Sequence, residues 1–107
     1  MAHYLVTAKV KLGSAAELRR RLAKQEFLNI QTFGKSLTRA LDGIRHDPKR
    51  DEVLWEAEDY CSPPLEMERA AVLDQYFDAI QVEVLPKGGG WARISKLPSL
   101  WDALSKP

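Results

Sequence analysis

Three stretches of this chain alternate apolar and polar residues at a period of two: His3 to Lys11, Val53 to Tyr60 and Ala79 to Leu85. In the first, Tyr4, Val6, Ala8 and Val10 fall on one side, with His3, Leu5, Thr7, Lys9 and Lys11 on the other. In the second, Val53, Trp55 and Ala57 alternate with Glu52, Leu54, Glu56 and Glu58; in the third, Ile80, Val82 and Val84 alternate with Gln81, Glu83 and Leu85. Successive side chains of a strand point to opposite faces, so the pattern predicts half-buried strands sharing one covered face.

The segments between them carry helix signals. Ser14-Ala15-Ala16-Glu17 has the spacing of a capping box, and Ala15, Leu18 and Leu22 then make an apolar stripe, which predicts a helix over about Ser14 to Gln25 with Arg19, Arg20, Arg21 and Lys24 mostly in water. Phe27, Leu28, Ile30 and Phe33 fit neither period and read as a buried turn. Pro63-Pro64 opens a second helix through Leu65, Met67, Arg69, Val72, Leu73, Tyr76 and Phe77, because the first turn of a helix needs no amide donor. Leu37 to His46 is ambiguous: Leu37, Leu41 and Ile44 suit a helix, whereas the following Asp47-Pro48-Lys49-Arg50 suits a hairpin turn. The reading taken is a strand.

Composition sets the class. With 107 residues, 45% hydrophobic and 29% charged, the chain holds one folded domain and no membrane span. Sixteen basic against fifteen acidic side chains leave a net charge of +1, which gives no broad field for nucleic acid or an anionic membrane. One cysteine cannot close an intrachain disulfide, and Met1 to Gly13 lacks the long apolar stretch of a secretory signal, so the expected compartment is the cytoplasm. A domain this small hides only about two-thirds of its unfolded surface, so burial against a second copy would help it. Gly88-Gly89-Gly90 lacks the Lys-Ser/Thr of a phosphate loop and reads as a hinge between the body of the domain at 1–87 and a docking tail of the same domain at 88–107. Trp91, Ile94, Leu97, Leu100 and Trp101 make that tail too apolar to hang in solvent.

Strand, helix, strand, strand, helix, strand is the βαββαβ order of a ferredoxin-like α+β fold: an antiparallel sheet with both helices on one face. The opposite face would carry His3, Leu5, Thr7, Lys9, Leu54, Glu56, Glu58, Gln81, Glu83 and Leu85, a mixture that suits a small cavity roofed by a second subunit. From about His3 to Leu85 the chain resembles the dimeric α+β barrel superfamily, whose YCII-related and muconolactone isomerase-like members end on a strand like Tyr76-Phe77-Asp78-Ala79-Ile80-Gln81-Val82-Glu83-Val84. The blocks Glu58-Asp59-Tyr60-Cys61-Ser62-Pro63-Pro64-Leu65 and Glu68-Arg69-Ala70-Ala71-Val72-Leu73-Asp74 also look like a segment of small bacterial proteins. The resemblance implies two ferredoxin-like protomers joined by their open sheet faces. It brings no catalytic residue: the histidine that YCII-related proteins carry early in the first helix has no counterpart between Ser14 and Arg45.

The candidate chemistry lies on the open face. His3, Lys9, Glu56 and Glu58 are the candidate catalytic residues, since titratable groups in a partly dry cavity shift one another and suit proton transfer. Thr7, Gln81, Glu83 and Trp91 are candidate ligand contacts, although large aromatics such as Trp91 and Trp101 more often dock on a core or a partner. Cys61 before Ser62-Pro63-Pro64 has no neighbouring base in the sequence and reads as an inert thiol, and His46 beside Asp47 reads as a turn residue. Two histidines without clustered cysteines offer no metal-ligand spacing, so neither a metal nor a cofactor is expected. Three adjacent arginines on a helix point different ways, so nucleic acid is not an expected partner. Two functions remain: a homodimeric small-molecule binder or isomerase-type proton-transfer enzyme, and a non-catalytic homodimeric interaction module.

Overall fold

Alternation becomes strand pairing in the structure, a computed structural model that describes residues 2–30, 33–59 and 64–105. The strands β1 (Ala2–Val10), β2 (Arg45–Asp47), β3 (Glu52–Asp59) and β4 (Phe77–Leu85) form one antiparallel sheet in the order β2-β3-β1-β4. Tyr4 stands opposite Ala57 and Val6 opposite Trp55, whereas Leu5 stands between Glu56 and Glu83 on the other face. Between β1 and β2 lie α1 (Ala15–Ala23) and α2 (Gly34–Asp42). After β3, a short α3 (Glu66–Glu68) widens into a π-helical turn (Arg69–Leu73) and returns as α4 (Asp74–Tyr76). The chain is an α+β fold, and no helix among the described residues is long and apolar enough to cross a membrane.

The helices cover the face predicted to be apolar. Leu18 and Leu22 of α1, Leu37 and Leu41 of α2, and Leu73 and Tyr76 of the second crossover join Val6, Ala8, Val53 and Trp55 in one buried cluster. Trp55 and Phe77 meet with ring centroids 5.0 Å apart. Arg21, expected in water, is half-buried instead: its guanidinium lies 4.5 Å from the centre of the Phe27 ring and donates to the Tyr76 hydroxyl at 2.6 Å. The planar cation covers two aromatic side chains that the helix alone leaves open.

Several expectations change. Leu37 to His46 is mostly helix, and only Arg45–Asp47 is strand. Phe33, Leu37, Ala40, Leu41 and Ile44 are all buried, and their spacing is that of one helix face, so packing settles what the turn signal at Asp47-Pro48 obscured. Ser14 precedes α1, but its hydroxyl makes no capping bond, because its backbone is already helical (φ −91, ψ −19) rather than in the extended region that aims a cap. Val82 and Val84 keep the predicted face yet stay exposed, since the helix layer does not extend over the end of β4.

The tail docks on its own chain. Residues after Gly88 form α5 (Gly89–Arg93) and α6 (Leu100–Ser105) rather than swinging on a hinge. Helix α5 packs on β1 and β3 across the face opposite the other helices. There Leu5 and Ile94 are buried outside the main cluster. Further on, the chain runs along β2: the amide of His46 donates to the Pro98 carbonyl at 2.9 Å, that of Leu100 to Ile44 at 3.1 Å, and Leu100 enters the main core. The Trp101 indole donates to the Leu41 carbonyl at 2.9 Å.

Candidate functional site

Because β2 is three residues long, it pairs with β3 only at Glu52, Val53 and Leu54. From Trp55 to Asp59 that edge of β3 has no neighbouring strand among the described residues. Helix α2 and the start of α5 close in on it and leave a cleft of about 220 Å³ lined by His3, Ser36, Arg39, Ala40, Glu56, Ala57, Glu58, Lys87, Gly88 and Trp91. Trp91 is half-buried against the core, its ring turned toward Gly43 at the end of α2.

Glu56 builds the wall. Its Oε1 accepts the amides of Gly90 at 2.8 Å and Trp91 at 3.2 Å, and its Oε2 accepts that of Gly88 at 3.0 Å. These are amides that the first turn of α5 cannot satisfy internally, so the carboxylate acts as a long-range cap. Two glycines make the approach possible. Gly88 turns the chain at φ +82, and a Cβ on Gly90 would stand 3.0 Å from Glu56 Oε1 and 3.1 Å from its Cβ. His3 completes this corner, with Nδ1 3.7 Å from Glu56 Oε2.

Arg39, Lys87 and Glu58 bring charge to the cleft, and their side chains have no ion-pair or hydrogen-bond partner among the described residues. An unspent guanidinium, ammonium and carboxylate beside an indole can hold a small molecule bearing charges of both signs and an apolar body.

Of the eight candidate site residues, His3, Glu56, Glu58 and Trp91 meet in this cleft. Thr7, Gln81 and Glu83 lie further along the same sheet face and do not line it; Glu83 is held by both oxygens to Arg93 Nη1 at 2.9 Å. Lys9 lines a second cavity of about 410 Å³ with Val10, Ala15, His46, Asp51, Val53 and Leu100. There His46 pairs with Asp51 at 3.2 Å rather than with Asp47, whose carboxylate instead accepts the Lys49 amide in the turn. Cys61 lies outside the described residues. Arg39, Lys87 and Ser36 were not singled out in the sequence, because each reaches the cleft from an element whose position no local pattern reveals.

A separate acid pair is buried where β3 hands over to α3. Asp59 accepts the Leu65 amide, and Glu68, only 2% exposed, has an Oε2 without a hydrogen-bond partner among the described residues. Burial, with Asp59 adding to it, pushes the Glu68 carboxyl up to about 8. Neither residue lines the cleft. Among the described residues no group of three or more His, Cys, Asp and Glu side chains is placed to hold a metal ion. In comparisons with known proteins, no family model matches the chain, and neither does any curated protein or solved structure.

Proposed function

We propose that the chain is a small-molecule-binding domain of ferredoxin-like connectivity whose ligand is a compact zwitterion of the α-amino-acid class, held in the cleft at the bared edge of β3. The connectivity is supported by the strand order β2-β3-β1-β4, which read from the other edge is the 4-1-3-2 of that fold. The observation that carries the ligand reading is the convergence of Arg39, Lys87 and Glu58, all without partners among the described residues, around Trp91. The ligand carboxylate goes to Arg39 and Lys87, its ammonium to Glu58, and its side chain against the indole.

The same cleft sets the terms for proton transfer. Both Glu56 oxygens are spent on backbone amides, which suits a positioning role. Histidine is the residue type suited to moving protons near neutrality, so an isomerase-type step would use His3 as acid or base and Glu56 to orient it.

The test is a titration of the isotope-labelled protein with a panel of α-amino acids, each alongside its deaminated acid and its decarboxylated amine. The expected result is that one zwitterion shifts the amides of Gly88 and Trp91 and that Arg39→Ala weakens it about tenfold, or ~1.4 kcal/mol. Glu58→Gln should remove the preference for the amino acid over the deaminated acid. Shifts confined to residues away from the cleft, or equal affinity in Arg39→Ala, would refute the reading.

A further inference from the structure

The two edges of the sheet are treated differently. The β2 edge is covered by the chain's own tail, through the bridge between Arg45 and Ser99 and the bonds from His46 to Pro98 and from Leu100 to Ile44. Among the described residues β4 pairs only with β1 and presents a nine-residue strand to solvent, with neither proline nor lysine from Phe77 to Leu85. Natural edges discourage further pairing with proline and with charged side chains, lysine above all; here the charges are Asp78 and Glu83 alone. A bulge at Ala79, where φ is +55 and two β4 residues oppose one of β1, bends the start of the strand and leaves Ile80 to Leu85 regular.

We propose that this edge is the interface of a symmetric homodimer, in which β4 of one copy pairs antiparallel with β4 of another about a twofold axis at Val82. Only a register in which opposed residue numbers sum to an even value keeps the apolar stripe on one face. Centring it on Val82 sets Val82 against Val82, Ile80 against Val84 and Gln81 against Glu83; centring it on Glu83 would oppose two carboxylates, and centring it on Gln81 would set Val84 against Asp78. Val82 is 40% and Val84 71% exposed in the single chain, and the pairing brings both stripes together. The charges agree with it: within the single chain Arg93 already holds Glu83 and Lys11 lies 3.9 Å from Asp78, so both acids of the strand come to the seam with a cation of their own. Isologous pairing also ends the edge, because each copy uses the same strand. This dimer joins edges, whereas the barrel implied by the resemblance joins sheet faces, part of which α5 occupies here.

Sedimentation velocity on the full chain separates these arrangements, independently of any ligand. The wild type should run at twice the 12.1 kDa chain mass. Val82→Lys and Val84→Lys, each at an exposed position and with an unchanged far-UV circular dichroism spectrum, should run at the chain mass. Gln81→Arg, on the other face, should stay dimeric. A monomeric wild type at the highest soluble concentration would overturn the proposal. So would a dimer that survives both lysine variants, or one that Gln81→Arg dissociates while Val82→Lys does not.

Discussion

Glu68 enters the core as an acid with Asp59 beside it and no cation paired with it among the described residues, so below about pH 8 it keeps its proton in the folded chain. Its folded pKa, about 8, lies above the ordinary 4.5, so between those values the folded state holds a proton that the unfolded chain has released. Stability contributed by the neutral carboxyl is therefore intact below about pH 4.5 and falls as pH rises through about 8, at a limiting slope of ~1.4 kcal/mol per pH unit. Thermal unfolding should show a Tm that declines across that window in the wild type and is much flatter in Glu68→Gln. An equal decline in both would assign the slope to other groups. At this scale the sequence marks His3, Glu56, Glu58 and Trp91 as polar or aromatic residues on one predicted face. It does not disclose that Glu56 is committed to backbone amides 32 to 35 residues away.

At the scale of elements, the strands were legible because a sheet with one covered face writes its period directly into the sequence. The segment from Leu37 to His46 was not, since Leu37, Leu41 and Ile44 fit a helix while the turn that follows them fits a hairpin. Both signals are real: a helix to Asp42 is followed, after Gly43 and Ile44, by a three-residue strand. Nor did the three consecutive glycines announce a helix, because what they accommodate is the side chain of Glu56 from another strand. This predicts a contrast between neighbours. Gly90→Ala should lower stability by about 1 kcal/mol or more, measured by urea unfolding, because its Cβ must displace Glu56. Gly89→Ala should be close to neutral, as its Cβ meets Pro86 and Leu85 at ordinary contact distances of 3.5 and 3.6 Å. Equal effects would contradict the close approach at Gly90.

Across the whole molecule, the docking tail finds its site on its own chain. Residues 88–105 bury Leu5 and Ile94 on one sheet face, place Leu100 in the main core, cover the β2 edge and supply Gly88 and Trp91 to the cleft. The sequence showed that the tail is too apolar to be free. Where it docks depends on contacts between residues tens of positions apart, which no local period encodes. The cleft hangs on the grip of Glu56 on the start of α5, and amide hydrogen exchange reads that grip directly. In the wild type the amides of Gly88, Gly90 and Trp91 should exchange slowly. In Glu56→Ala those three should lose protection while the paired amides of β1 and β3 keep theirs. Fast exchange at all three positions in the wild type would mean that α5 is not clamped to the sheet and that the cleft it helps to form does not persist.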